Sequence, residues 1–143
     1  MPYWRLFYHL IWATRDRLPL IDAGMWPELE QLLVFTARKN QMIVHGVGGV
    51  ANHVHMAVSI PPAMSVANAV GRLKGSSSRM MSHNPDDSFG WQSEYGVVSF
   101  AERHLQQVVA FIHDQPRHHA QNTLWPALEQ LDGSSASTTG RSA

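Results

Sequence analysis

The chain contains 143 residues with eleven basic and eleven acidic side chains, so its formal net charge is zero. This length predicts one domain with a real core and is too short for two comfortable domains. The chain has no cysteine, which excludes a disulfide framework, a thiolate zinc site and a thiol nucleophile. No apolar run has the length of a membrane span and the N-terminus lacks the layout of a signal peptide. We therefore expect a cytoplasmic protein with no membrane partner.

The charged residues are unevenly distributed along the chain. Residues 31 to 85 contain no Asp or Glu. The same stretch contains five basic residues: Arg38, Lys39, Arg72, Lys74 and Arg79. Zero net charge argues against a strongly electrostatic nucleic-acid binder, but this acid-free stretch favours a phosphate ligand. The alternative is that carboxylates from elsewhere in the chain fold over this region.

The pattern of apolar residues predicts secondary structure along most of the chain. In chain order we expect a strand at residues 4–13, a helix at 26–39, strands at 41–50 and 53–60, a helix beginning after Ser65, a loop at 83–87, an extended segment at 91–100, a helix at 102–115 and an amphipathic segment at 119–131. Pro27 suits the first turn of a helix, and Ser65 is a good N-terminal cap. Gly46, Gly48 and Gly49 are expected to loosen the end of the second strand.

This order of elements predicts an α+β fold of the ferredoxin-like type, with an antiparallel sheet and helices packed on one face. Only a short turn joins the second and third strands, which must therefore be antiparallel, and this disfavours a parallel doubly wound sheet. Residues 1–132 are expected to form a single domain. Residues 133–143 are mostly Gly, Ser, Thr and Ala, which predicts a disordered tail.

Two histidines on the third predicted strand form the first candidate site. His53 and His55 are separated by one residue, so in a strand both imidazoles point to the same side, while Val54 can point into a core. That arrangement suits a metal ion. The alternative is a pair of surface or hydrogen-bonded histidines with no ligand role.

The last predicted helix carries a second candidate position. An apolar stripe on this helix should face the core; it consists of Leu105, Val108, Val109 and Ile112. Phe111 lies about 110° from the centre of that stripe, on the flank of Gln115, and should be half exposed. The alternative is an aromatic ring that covers the rim of the core.

Five short motifs occur in order along the chain. They are His-Leu-Ile-Trp-Ala-Thr at 9–14, His-Val-His at 53–55, Leu-Lys-Gly-Ser-Ser-Ser-Arg at 73–79, Trp-Gln-Ser-Glu-Tyr-Gly at 91–96 and Phe-Ile-His-Asp-Gln at 111–115. In this combination the chain resembles the single-tyrosine HUH transposases of the smallest bacterial insertion sequences and their REP-associated tyrosine transposase relatives. The resemblance runs from His9 to His119, which is most of the chain.

The resemblance implies a homodimer that acts on single-stranded DNA hairpins with a divalent ion such as Mg or Mn. Carried over by position, His53, His55 and Gln115 become the metal ligands. Two imidazoles and an amide would add no negative charge, so the ion would act as a Lewis acid on a phosphate; imidazoles would also accept zinc. In the family a helix of one subunit can complete the site of the other, so Gln115 need not serve its own chain's histidines.

Phe111 occupies the position of the family's nucleophilic tyrosine, four residues before the glutamine. The family's chemistry needs a phenolic oxygen that attacks the scissile phosphate and forms a phosphotyrosine link, and phenylalanine has none. Three explanations stay open: an engineered replacement, a natural loss that leaves a DNA-binding remnant, or substitution by Tyr95 as the nucleophile. Tyr95 ranks last because the family commonly has a tyrosine there as well.

Several cations and one hydroxyl are candidates for contacts with the DNA backbone: Arg15, Arg17, Arg72, Lys74, Ser77 and Arg79. The alternative is an ordinary solvated helix face. Trp91 and Tyr95 could stack on unpaired bases, although a place in the core is favoured. The leading hypothesis is thus a DNA transposase, disabled here if Phe111 leaves no nucleophile. Its competitors are a catalytically silent hairpin-binding protein and, less favoured, a small histidine-ligated metal hydrolase.

Overall fold

A four-stranded antiparallel sheet forms the centre of the computed structural model, which describes residues 2–82, 89–116 and 129–131. Its strands are β1 (Tyr8–Ala13), β2 (Ile43–Val50), β3 (His53–Ser59) and β4 (Gly96–Ser99), in the spatial order β2-β3-β1-β4. The helices are α1 (Trp26–Lys39), α2 (Val66–Met81) and α3 (Leu105–His113), and short 3-10 turns occur at Arg15–Arg17 and Glu102–His104. The predicted α+β fold with an antiparallel sheet is confirmed.

The two longer helices begin where local sequence signals predict, and α1 also ends at such a signal. Pro27 lies in the first turn of α1, and Asn40 follows its last residue and donates to the carbonyl of Thr36. The hydroxyl of Ser65 accepts a hydrogen bond from the backbone NH of Asn68 and so caps α2. A side-chain hydrogen bond within one helical turn thus marks the end of α1 and the start of α2.

Helices α1 and α2 share one face of the sheet, where the larger core lies. That core combines side chains of β1 and β3 with the buried stripes of both helices; its members include Leu10, Trp12, Leu29, Leu33, Val54, Met56, Ala69 and Leu73. Thr36 of α1 and Ser76 of α2 are hydrogen-bonded through their hydroxyls at 2.8 Å. The core burial of this face supplies most of the apolar stabilisation of the fold.

Helix α3 packs against the opposite face of the sheet. Val108 and Ile112 form a small apolar cluster with Ala57 of β3, whose neighbours Met56 and Val58 belong to the larger core. Because side chains alternate along a strand, Ala57 and His55 point towards α3. The fold thus places helices on both faces of the sheet and not on one face as expected from the sequence, because α3 packs over the histidine side.

The edge strand β4 is shorter than the predicted segment at 91–100. Trp91 forms only an isolated bridge with Thr14, and the strand begins at Gly96. The carbonyls of Gln92 and Glu94 accept hydrogen bonds from the Lys74 ammonium. Tertiary contacts therefore replace strand pairing in this stretch. In the same way, β1 begins at Tyr8 rather than at residue 4.

Some of the sequence predictions lie outside the described residues. These are the loop at 83–87, most of the amphipathic segment at 119–131 and the tail at 133–143. Glu129, Gln130 and Leu131 at the end of that segment are described, and Leu131 is buried against Ile11 and Ala13. Among the described helices, none combines the length and the apolar character that a membrane crossing needs.

Candidate metal centre

The site is built on β3, the most deeply buried strand of the sheet. His53 and His55 point to the α3 side of the sheet, while Val54 points into the larger core. The exposed fraction is 5% for His53 and 0% for His55, and their ring centroids are 5.0 Å apart. The two imidazoles therefore lie side by side in a protected environment, as the strand alternation predicts.

A carboxylate from the C-terminal part of the chain completes this cluster. Oε1 of Glu129 is 3.2 Å from Nε2 of His55, and its Oε2 is 3.6 Å from Nε2 of His53. One donor atom from each of the three residues lies within 4.8 Å of the others. A carboxylate from outside the acid-free stretch thus reaches the histidine pair, as the alternative to a phosphate ligand supposed.

The electrostatics of the cluster keep Glu129 ionised. Burial raises the pKa of its carboxyl, but hydrogen bonds and charge interactions with His53 and His55 together lower it further, so the net pKa lies well below its usual range. No local pattern in the sequence connects Glu129 with β3. Its position depends on how the C-terminal segment returns to the sheet.

Both histidines also have a neighbour at the second ring nitrogen. Nδ1 of His53 is 2.8 Å from the amide oxygen of Asn52, and Nδ1 of His55 is 2.8 Å from Nε2 of His9. His9 is fully buried, on β1. Neither Asn52 nor His9 has a role predicted from the sequence. His9 could have been found from the register, because it pairs with Ala57, two residues from His55.

Phe111 lies directly against the histidine pair. Its ring centroid is 5.8 Å from that of His55, with the ring planes nearly perpendicular, and the side chain is only 6% exposed. The prediction that Phe111 is half exposed is therefore wrong. The helical angle gives the position of Phe111 relative to the apolar stripe of α3. It does not show that the sheet also covers this flank of the helix, where Phe111 contacts His55 and packs in the cluster with Ala57.

Gln115 follows Phe111 by one helical turn and is fully buried. Its amide nitrogen donates to the carbonyl of Phe111 at 3.4 Å. Among the described residues, the donor cluster at the two imidazoles is completed by Glu129. Gln115 as a ligand stays an expectation that comes from the resemblance.

Two glycines allow backbone segments to approach the sheet on either side of His55. In the register of the sheet, Gly48, His55, Ile11 and Gly96 form one row across the four strands. A Cβ atom at Gly48 would collide with the backbone carbonyl of Ile112 in α3, and one at Gly96 would collide with the carbonyl of Gln130. The glycines thus permit the close packing that brings Phe111 and Glu129 to the histidines.

The cations predicted to contact DNA are separated by the fold. Arg15 and Arg17 are exposed and follow β1, whose last residue, Ala13, pairs with His53. Arg72 and Arg79 are exposed on α2, which covers the other face of the sheet. The guanidinium of Arg72 donates to the side-chain oxygen of Asn40. Only the first pair lies at the end of the sheet where His53 begins β3.

Lys74 is half-buried and Ser77 is buried, and both make hydrogen bonds within the protein. Burial lowers the pKa of the Lys74 ammonium, which holds the carbonyls of residues 92 and 94. Ser77 is fully buried; its hydroxyl donates to the Leu73 carbonyl and accepts from the indole NH of Trp91. Helix packing encloses the Ser77 hydroxyl, so this group is not exposed at the surface where the predicted DNA contact would be made.

Tyr95 lies on the face of the sheet away from the histidines. Its side chain packs against the larger core formed with α1 and α2. Gly96, the next residue, faces Ile11 and the C-terminal segment on the histidine side. This placement agrees with the low rank of Tyr95 as a substitute nucleophile.

Residues 2–115 match the family model described as IS200-like transposases. The chain is 26% identical to the ISDra2 transposase TnpA of Deinococcus radiodurans over 119 residues, which cover 78% of this chain and 85% of the relative. It is 30% identical to the transposase for insertion sequence element IS200 of Salmonella typhimurium over 78 residues, which cover 54% of this chain and 51% of that protein.

Two solved structures share the fold. A crystal structure of a candidate transposase from Deinococcus radiodurans has a TM-score of 0.64 at 25% identity, and the match covers 79% of this chain and 95% of that one. A REP-associated tyrosine transposase bound to a REP hairpin has a TM-score of 0.63 at 12% identity, with 83% and 74% covered. At 12% identity, the match to this second structure shows a shared fold and nothing more.

Proposed function

Because the chain belongs to the IS200-like transposase family, a class of DNA strand-transferring enzymes, we propose that it binds single-stranded DNA hairpins at its histidine site. The observation that carries this proposal is the contact between Phe111 and His55. By the resemblance, these two residues stand at the positions of the family's tyrosine and of one of its metal ligands. A structural neighbour bound to a REP hairpin supports the choice of DNA substrate.

The donor set of the site suits a divalent ion. Two imidazole nitrogens and one carboxylate oxygen lie within 4.8 Å of one another, which is close enough to share one ion. We propose that His53, His55 and Glu129 hold Mg or Mn, with Gln115 as the further ligand that the resemblance implies. Such an ion would polarise a phosphate oxygen and offset the charge that develops during phosphoryl transfer.

The chain's own residues would prepare the substrate. The buried position of the site excludes water from the phosphate, and the helix that carries Phe111 sets the direction of an attacking group. In the family reaction the tyrosine oxygen bonds to phosphorus, the bond to the departing strand breaks, and a free 3′ hydroxyl is released. With Phe111 the first of these steps lacks its nucleophile, so we propose that this chain binds the hairpin without joining to it.

The substitution Phe111→Tyr tests this proposal directly. It adds one hydroxyl to a ring that already lies against His55, and with Mn and a hairpin substrate it should produce a covalent protein–DNA adduct. The adduct would be visible as a slower band on a denaturing gel. Phe100→Tyr is the matched control because Phe100 packs in the same cluster and should give no adduct.

A second candidate function is a hairpin-binding protein that stays catalytically silent even when the tyrosine hydroxyl is restored. Phe111 favours it, because no phenolic oxygen stands at the histidine site. In that case Phe111→Tyr would give no adduct, while binding in a native gel would persist and weaken as salt is raised. Loss of both adduct and binding would contradict the two candidates together.

A further inference from the structure

His9 has a single polar contact among the described residues, and that contact is with the site. Its Nε2 is 2.8 Å from Nδ1 of His55, the ring centroids are 4.9 Å apart, and the side chain is fully buried. Within the described part of the chain, the other nitrogen of His9, Nδ1, has no hydrogen-bond partner. Burying an imidazole with one polar contact costs folding free energy, and a functional role of that contact would explain why the protein tolerates the cost.

The direction of this hydrogen bond follows from the needs of His55. Nε2 of His55 faces Glu129 at 3.2 Å, so an ion held with Glu129 must take the lone pair of Nε2. A neutral imidazole carries one proton, and it must then sit on Nδ1. With the ion bound, Nδ1 must donate, and Nε2 of His9 lies at hydrogen-bond distance to accept its proton.

We infer that His9 is a positioning residue that holds His55 in its metal-binding tautomer by accepting the Nδ1 proton. This inference rests on the proposed metal site. A hydrogen-bond acceptor at the second nitrogen of a ligating histidine orients the ring and strengthens the ligand. His9 performs this task from β1, across the strand pair that joins β1 to β3.

His9 accepts in its neutral form, which is the form that a fully buried imidazole favours. Asn52 holds Nδ1 of His53 in the same manner with an amide oxygen. Both acceptors are uncharged, so they fix the tautomers without adding negative charge beyond that of Glu129.

Nitrogen-15 NMR of the histidine rings can read the tautomer directly. The full chain is loaded with Zn, a diamagnetic ion that imidazoles accept, and the spectrum should show the proton of His55 on Nδ1. A proton on Nε2 of His55 in the loaded protein would overturn the inference. This measurement does not depend on DNA cleavage.

Substitutions at His9 test the same idea through ion affinity. His9→Phe keeps a planar ring but removes the acceptor, and it should weaken Mn binding about 10- to 100-fold in a paramagnetic-resonance titration. His9→Gln restores an acceptor and should recover most of the affinity. His45→Phe is the matched control on β2, because His45 bonds to Ser59 and not to the site; it should leave the affinity unchanged.

The outcomes separate this inference from the proposed function. If the parent chain binds Mn and His9→Phe binds it equally well, the role of His9 is overturned while the metal site stands. If the parent chain binds no ion, both fail. Should His9→Phe not fold, as judged by its thermal transition, the Gln variant and the NMR spectrum of the parent still decide.

Discussion

At the scale of single residues, His55 has four side chains around its ring: two imidazoles, a carboxylate and a phenyl ring. His9 lies at Nδ1, Glu129 at Nε2, His53 beside the ring, and Phe111 packs against it with the ring planes nearly perpendicular. These contacts fix the rotation of the imidazole before any ion arrives. A site whose ligands are held by their own neighbours loses little conformational entropy on binding.

We predict that Glu129 contributes more to ion binding than Gln115. Glu129 is an ionised carboxylate within 3.6 Å of both imidazoles, whereas an amide oxygen offers no net charge. Glu129→Gln should therefore weaken Mn affinity at least tenfold, and Gln115→Ala should weaken it less. Calorimetric titration of both variants would measure the difference.

Glu94→Gln is the control for the loss of one negative charge, because Glu94 is exposed and lies beside Lys74. Its Mn affinity should equal that of the parent chain. The reverse order, with Gln115→Ala abolishing binding and Glu129→Gln leaving it intact, would show that the resemblance predicts the ligands better than the cluster does.

At the scale of the elements, two backbone segments pack closely against glycines of the sheet and bring the residues of the site together. Gly48 of β2 receives the end of α3, and Gly96 of β4 receives residues 129–131. Ile11 and His55 lie between them in the same row. From the sequence, Gly48 is expected to loosen the end of a strand; in the structure its missing side chain makes room for the backbone of Ile112.

We predict that Gly48→Ala and Gly96→Ala disturb the site through these segments. The added methyl group of either variant meets a backbone carbonyl that cannot rotate away, so each should destabilise the fold by about 1–3 kcal/mol. Ion affinity should fall too, most for Gly96→Ala because it displaces Glu129. Urea unfolding and a Mn titration would measure the two effects.

Gly75→Ala is the matched control. Gly75 lies within α2 with open space where a Cβ would stand, so the same methyl group should stabilise the protein by about 0.5–1 kcal/mol through helix propensity. If the three variants behaved alike, the packing role of Gly48 and Gly96 would be wrong.

At the scale of the whole molecule, the sheet separates the large core from the candidate metal centre. One face carries the large core with α1 and α2, and the other carries the histidines beneath α3 and residues 129–131. The exposed cations are divided between these two sides. Their position relative to the site should therefore decide which of them contact a hairpin.

We predict that Arg17 contributes to hairpin binding and that Arg72 contributes little. Arg17 lies in the turn after β1. Its backbone carbonyl is 3.4 Å from the side-chain nitrogen of Asn52, the residue before His53. Arg17→Ala should weaken binding and reduce the slope of log affinity against log salt by about one. Arg72→Ala, on the far side of the sheet, should leave both unchanged in a fluorescence titration.

We also predict that the site is formed within one chain, even if the protein is a homodimer as the resemblance implies. Phe111 and Glu129 both contact His55 of their own chain. A double variant with Phe111→Tyr and His55→Ala, mixed with the parent chain to exchange subunits, should therefore give no covalent adduct. An adduct on the double variant would instead demonstrate a site shared between subunits.

Features that depend on a few neighbouring residues could be predicted from the sequence. The bounds of α1 are as expected because Pro27 and Asn40 mark them, and Ser65 marks the start of α2. His53 and His55 share a face because the period of a strand is two. These predictions succeed since backbone geometry relates residues that are close along the chain.

Contacts between distant segments were decided only by the tertiary structure. The sequence by itself determined the histidine pair, the absence of thiol chemistry and the missing hydroxyl at Phe111. The fold decided that Glu129 and His9 meet that pair, that Ser77 is enclosed, and that Phe111 is buried. The physical reason is that strand register and helix packing join residues across the sheet, and no local pattern specifies which segment returns to which strand.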